Sequence, residues 1–370
     1  MPHLKSFYLA DAKPPTKMSD SNQNILVAPL NWGLGHATRC IPIIRALMAC
    51  GYTPILASDG AALALLNKEF PELTALELPS YNIEYARDGA DFKWKMIKNL
   101  PKMVDAIRLE KKIVRGWVKD LNLCGIISDN RPGVYSKKIP SVFMTHQLRV
   151  LSGNTTWISS KLHQHVIKKF DECWVPDFES SHNLSGKLGH LKKPDDKIKY
   201  IGPLSRFEKQ SAEIQYDLMV LLSGPEPQRS ILEERLRQQI SKYKGRVIFI
   251  CGSVEEEQKT TQVDDVTYYN FMTSGQLEKT FNESAFVLVR SGYTTLMDLV
   301  KLEKKAFFIP TPGQYEQEYL AKRMRKNGWF LFSKQDDFRF SDLTQGQLYH
   351  PPKLVEEPVH WKNLFCLFEK

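Results

Sequence analysis

His36 and Asp129 combine residue type and setting in the way acid–base chemistry needs. His36 lies in NWGLGHATRCIPIIRAL, Asn31 to Leu47, where an apolar run ends, a G-x-G turn follows and a helical stretch begins. Gly33 and Gly35 let the backbone turn tightly and bring N–H groups close to a ligand. The helix beyond offers unpaired N–H groups and the positive end of its dipole, both suited to an anion. An imidazole at that turn titrates near neutral pH and can serve as a general base. The same histidine can also do no more than cap the helix. Asp129 lies in Ser128-Asp129-Asn130-Arg131, again where an apolar run ends. Its carboxylate can orient His36 or hold an acceptor, although Asp-Asn is also ordinary turn chemistry.

Three turns in the second half have the same strand–turn–helix order. In LLSGPEPQR, Ser223 and Gly224 can bring a hydroxyl and backbone donors to a diphosphate. In VLVRSGYTTLMDL, Arg290, Ser291 and Gly292 end a strand and Thr294 opens a helix, which makes a third phosphate-ready N-terminus. Asp298, about one turn into that helix, is placed to accept the hydroxyls of a ribose or merely to complement the helix dipole. In IPTPGQYEQEYLAKRM, Glu316 and Gln317 begin a helix after a Pro/Gly loop and can hydrogen-bond sugar hydroxyls. Taken singly, each turn is an ordinary capped helix start.

These turns need rigid elements behind them, and the apolar pattern supplies them. Short runs at Ile25–Leu30, Thr53–Ala57, Leu73–Leu78, Gly125–Ser128, Ser141–Met144 and Cys173–Val175 are apolar on both faces. That marks parallel strands covered by helices on both sides. Helices are expected over Ala37–Cys50, Gly60–Lys68 and Trp94–Leu121. A second series follows at Leu218–Leu222, Val247–Cys251, Val266–Phe271, Phe286–Val289, Phe307–Ile309 and Trp329–Phe332, with helices over Gln228–Tyr243 and Thr294–Leu302. Two successive βαβ series imply an α/β protein of two doubly wound Rossmann-like domains facing a cleft. The expected division is a disordered leader over 1–23, with Met18 a candidate initiator, a first domain over 24–205 and a second over 206–370.

The net charge of +9 suits nucleic acid, an anionic membrane or a polyanionic small substrate equally, or no partner at all. No nucleic-acid motif is visible, and none is expected as a partner. The six cysteines include no C-x-x-C pair, which argues against a zinc or redox motif and fits a reducing cytoplasm. No apolar run approaches the ~18 residues of a membrane span. Lys93–Lys119 mixes Trp94, Met96, Ile97, Met103, Ile107 and Trp117 with basic residues. It reads either as a membrane-facing amphipathic surface or as a core-packed helix with a solvated basic face.

Together the segments resemble the GT-B nucleotide-sugar transferases of glycosyltransferase family 28, which include the peptidoglycan UDP-N-acetylglucosamine transferase. The resemblance rests on Gly33-Leu34-Gly35-His36, Ser223-Gly224, the run Arg290 to Asp298 and the pair Glu316-Gln317. It extends to Ile201–Arg206, similar to an interdomain G-x-P-x-R element, and to Met144-Thr145-His146-Gln147, similar to a His/Gln turn. Asp298 stands where the family usually has Glu, Leu320 where many relatives have Asn, and Asn31-Trp32 where the peptidoglycan enzyme has glycines.

The resemblance implies inverting sugar transfer without a metal or other cofactor, the UDP-sugar being a co-substrate. Phe271 and Met272 would lie near the base, Asp298 on the ribose, and Arg206, Ser223 and Ser291 to Thr294 on the diphosphate. His146 and Gln147 would face the acceptor, which is unknown, a lipid-linked one at the inner membrane face included. A nucleotide-sugar hydrolase is the rival, since one such group shares the G-x-G-H-x-x-R pattern of Gly33 to Arg39. A sugar epimerase and a non-catalytic nucleotide-sugar binder are further alternatives.

Overall fold

The computed structural model describes residues 23–81, 89–151, 156–193, 195–253, 255, 257–353 and 359–369, with only the backbone for 89–100. All but Gln23 of the expected leader lies outside the described residues.

The first sheet is built from β1 (Asn24–Pro29), β2 (Thr53–Ser58), β3 (Ala75–Glu77), β4 (Leu123–Asp129), β5 (Ser141–Met144), β6 (Glu172–Val175) and β7 (Ile198–Tyr200). They alternate with α1 (Gly35–Ala49), α2 (Gly60–Glu69), α3 (Gly89–Asp120) and α4 (Thr156–Ile167). The spatial order is β3-β2-β1-β4-β5-β6-β7, and every pair is parallel. Strand β1 shows why its sequence is apolar throughout. Ile25 and Val27 pack on the face that holds α1, whereas Leu26 and Ala28 pack against Val114 and its neighbours in α3. Both faces exclude water, so no polar alternation is possible.

The second sheet contains β8 (Leu218–Leu221), β9 (Val247–Ile250), β10 (Thr260–Val263), β11 (Val266–Tyr269), β12 (Val287–Val289), β13 (Ala306–Phe308) and β14 (Leu331–Phe332). Its helices are α5 (Gln228–Gln239), α6 (Ser274–Asn282), α7 (Tyr293–Lys301), α8 (Tyr315–Lys326) and α9 (Asp342–Gly346), and the chain closes with α10 (Trp361–Phe365). The order is β10-β11-β9-β8-β12-β13-β14. Only β10 runs antiparallel, as a hairpin with β11. In each sheet the order reverses beside the first strand, at β1/β4 and at β8/β12. Ligands of open α/β sheets bind at such switch points.

Two features depart from the sequence expectation. The chain end does not stay with the second domain. Phe365 and Phe368 pack on Trp174 of β6, each ring centre 6.3 Å away, and Tyr52 donates to the Phe365 carbonyl at 3.4 Å. Residues 361–369 therefore cover the first sheet, which corrects their place in the 206–370 assignment. The described part of α3 also turns its apolar side inward. Met103 and Ile107 pack with Leu30 and Tyr81, and Trp117 packs beside Val114. Over that part the core-packed reading holds; the side chains of Trp94, Met96 and Ile97 lie outside the described residues. Among the described residues no helix is long and apolar enough to cross a membrane. All six cysteines are unpaired thiols.

Candidate active site

The first switch point brings His36 and Asp129 together. Pro29 of β1 pairs with Asp129 of β4, and the Leu30 N–H donates to the Asp129 carbonyl at 2.9 Å. The chain then turns through Gly33, at φ 80, and starts α1. A side chain at Gly35 would put its Cβ 2.9 Å from Thr294 Oγ1, so any larger residue forces Thr294 to shift. His36 Nδ1 lies 2.9 Å from Asp129 Oδ1. One turn further, Arg39 grips the same carboxylate, with Nε donating to Oδ2 at 2.6 Å and Nη2 to Oδ1.

The cluster continues across the cleft. Arg39 Nη1 donates to His146 Nδ1 at 2.9 Å, and His146 Nε2 donates to Glu316 Oε1 at 2.8 Å. Gln147 Nε2 donates to Glu316 Oε2. Tyr293, in the first turn of α7, stacks on the His146 ring at 4.2 Å and 4°, and its hydroxyl donates to the Pro176 carbonyl. Thr294 Oγ1 donates to the Gly35 carbonyl at 3.2 Å. First-domain His36, Arg39, Asp129, His146 and Gln147 thus meet second-domain Tyr293, Thr294 and Glu316 in one place.

Charge in this cluster is balanced around a dry carboxylate. Burial alone would raise Asp129, but Arg39 and His36 overcome it and hold the carboxyl at about 2. Burial lowers His36, and Arg39 adds to that effect against the pull of Asp129. The imidazole is thereby biased toward its neutral form while 15% of its side chain remains exposed. With Nδ1 turned to Asp129, Nε2 is the nitrogen left for a substrate. Burial opposes ionisation of Glu316 too, yet His146 and Arg39 keep it below its ordinary value.

The other sequence candidates divide into open and occupied. Ser223 and Gly224 are exposed at the end of β8. The helix start behind them is already filled: Glu226 accepts from the Ser230 hydroxyl at 2.7 Å and from Arg229 Nε at 2.6 Å. The start of α7 at Gly292, by contrast, has no side-chain cap and no acidic residue in its first turn. Asp298 accepts from Ser205 Oγ at 2.6 Å, and burial pushes it up to about 6 against the opposing influence of Arg206. Arg206 Nη1 donates to Ser274 Oγ at 3.1 Å, while its Nε is buried without a partner. Phe271 and Met272 are half-buried at the end of β11, and Lys68 of α2 sits 5.8 Å from the Phe271 ring centre.

Three expected ligands point elsewhere. Arg290 is 1% exposed; its guanidinium donates to the Ile309, Pro310 and Gln228 carbonyls and to Gln335 Oε1. It locks adjacent strand ends together instead of facing the cleft. Ser291 Oγ donates to the Gln317 carbonyl at 2.9 Å. The Gln317 side chain accepts from the Thr311 N–H and donates to Gln314 Oε1, closing its own loop. Each of these side chains is buried and hydrogen-bonded inside the domain, although Arg290 Nε lacks a partner. The sequence expectation named no role for Arg39 beyond a motif position and none for Tyr293. The spacing His36-x-x-Arg39 was the available signal, since residues three apart share a helix face. Among the described residues no group of His, Cys, Asp and Glu is placed to hold a metal ion.

Residues 228–349 match the glycosyltransferase family 28 C-terminal domain. A UDP-N-acetylglucosamine–N-acetylmuramyl-(pentapeptide) pyrophosphoryl-undecaprenol N-acetylglucosamine transferase of Haemophilus ducreyi is 22% identical over 231 residues. An uncharacterized glycosyltransferase of Methanosarcina mazei is 22% identical over 324 residues. The crystal structure of MurG from Acinetobacter baumannii superposes with a TM-score of 0.56 at 13% identity, over 94% of this chain and 99% of that one. The chain has the two-domain GT-B fold, and its residues 228–349 are similar to the family 28 C-terminal domain. The Haemophilus match spans 60% of this chain and 61% of the relative, and the Methanosarcina match 80% and 82%. The family match begins at the start of α5. It takes in α7 and α8, the two second-domain helices that meet His36 and His146.

Proposed function

We propose that the protein moves a sugar from a UDP-sugar to an acceptor hydroxyl in the interdomain cleft, with inversion and without a metal or other cofactor. The observation that carries this reading is His36, backed by Asp129 at the first switch point and opposed by the uncapped start of α7. His36 Nε2 takes the proton of the acceptor hydroxyl as its oxygen bonds to the anomeric carbon. The bond from that carbon to the diphosphate breaks on the opposite face. Asp129 stabilises the imidazolium that forms. Negative charge gathering on the diphosphate is met by the N–H groups from Gly292 to Thr294 and by Arg206, whose buried Nε has no other partner. Asp298 takes the ribose and Phe271 and Met272 flank the base, while Ser223 and Gly224 add donors from the other loop. His146 and Gln147 border the acceptor side.

The Haemophilus relative is named for a lipid-linked acceptor, and α4 offers a surface consistent with one. Trp157, Ile158 and Leu162 are 67%, 53% and 65% exposed on that helix, and Lys161 lies over the Trp157 ring. Exposed aromatic and aliphatic residues beside a lysine suit an anionic bilayer surface. The unpaired thiols suit the cytoplasmic side of it. The second reading is hydrolysis, with His36 activating water; the pattern Gly33 to Arg39 supports it as well.

Thermal shift with a panel of nucleoside diphosphate sugars tests the donor half. UDP-sugars raise the unfolding temperature by mass action. Absence of a shift with every UDP-sugar, or a larger one with another base, overturns the UDP assignment.

A further inference from the structure

Arg39 is 2% exposed and has no route to a substrate except through its neighbours. Its guanidinium, which stays protonated in proteins, reaches three of them at once. Two parallel bonds fix the plane of the Asp129 carboxylate. Nη1 donates to His146 Nδ1, so that nitrogen must be an acceptor. The ring proton of His146 is then on Nε2, where it donates to Glu316 Oε1 of α8. Nη2 also lies 2.9 Å from His36 Nδ1.

We propose that Arg39 is the positioning residue of this site, setting the orientation of Asp129 behind His36 and the tautomer by which His146 holds Glu316 of the second domain. A single guanidinium thereby ties the state of the base to closure of the cleft. The proposal goes beyond the sugar-transfer reading and rests on it only where His36 is called the base.

The consequence for His36 follows from what faces it. Asp129 at the end of β4 favours its protonation; burial and the Arg39 charge oppose it, as a protonated His146 would. Glu316 of α8 faces His36 as well, and Cys40 of α1 lies against Asp129 behind it. Replacing Arg39 by a neutral side chain removes one opposing charge and leaves Asp129 acting on His36 more fully. His36 then titrates at higher pH.

The test is histidine NMR on the full chain, with His36 assigned through His36→Gln. In wild type, His146 shows the single Nε2–H tautomer. In Arg39→Met the His36 midpoint moves to higher pH and His146 loses its single tautomer. Arg39→Gln, a milder neutral change, does the same if the methionine variant fails to fold. Arg39→Lys keeps the charge and holds the His36 midpoint near wild type. An unchanged His36 midpoint and an unchanged His146 tautomer in a folded neutral variant overturn the proposal. The titration is read on the protein alone, so absence of sugar transfer would overturn the transferase reading and leave this result standing.

Discussion

Ser205 Oγ donates to Asp298 Oδ1 at 2.6 Å, so the interdomain linker is fastened to the carboxylate proposed to receive the ribose. Asp298 is 9% exposed, and burial lifts it from 3.8 to about 6. The folded protein therefore binds this proton more tightly than the unfolded chain. Its contribution to wild-type stability falls as pH rises from 3.8 to about 6, and the deficit persists above that. Asp298→Asn does not titrate and still accepts from Ser205. It should be more stable than wild type at neutral pH by on the order of 2–3 kcal/mol, with the advantage vanishing in acid. Nucleotide affinity should fall in the same variant. Urea unfolding across pH and calorimetric UDP binding measure the two effects.

Asp129 carries the opposite sign. Its folded value of about 2 lies below the ordinary 3.8, so its contribution is complete above 3.8 and is lost as pH falls toward about 2. Asp129→Asn leaves Arg39 buried without its counter-charge. Removing one partner of a buried pair costs about 3–5 kcal/mol. The stability gap between variant and wild type should be widest at neutral pH and narrow steadily through the acid limb of a denaturant titration. A gap independent of pH contradicts the ion pair.

Arg131 joins the ends of three strands behind the site. It is fully buried and donates to Glu110 Oε1 at 2.7 Å, Asp59 Oδ1 at 2.9 Å and the Pro29 and Pro79 carbonyls. Arg131→Met abandons two carboxylates and should destabilise the protein by about 3–5 kcal/mol. Arg131→Lys supplies a point charge in place of a fork and should recover only part of that. Equal urea midpoints for wild type and Arg131→Met rule this arrangement out.

The parallel strands were legible because burial on both faces leaves a continuous apolar run, as in Ile25 to Ala28. Strand β10 was not: Thr260–Val263 is exposed throughout on a sheet edge and carries no apolar signal. Helix α4 was missed for a related reason, since Trp157, Ile158 and Leu162 face outward. The return of Phe365 and Phe368 to the first sheet is a tertiary choice that local sequence does not encode. At the site, strand–turn–helix order located the loops correctly around His36, Asp129 and Glu316. It did not show which way a side chain at a loop would turn. Arg290 lies between neighbouring strand ends whose carbonyls need donors, and those carbonyls claim it.

The most direct test of the account is a paired assay of UDP release and sugar incorporation. Purified protein is given UDP-sugars with and without a lipid extract, and His36→Ala is run beside wild type. Release should require the extract and match incorporation, and His36→Ala should lose about 10²-fold or more in turnover. UDP release at the same rate without acceptor, or full turnover by His36→Ala, contradicts it.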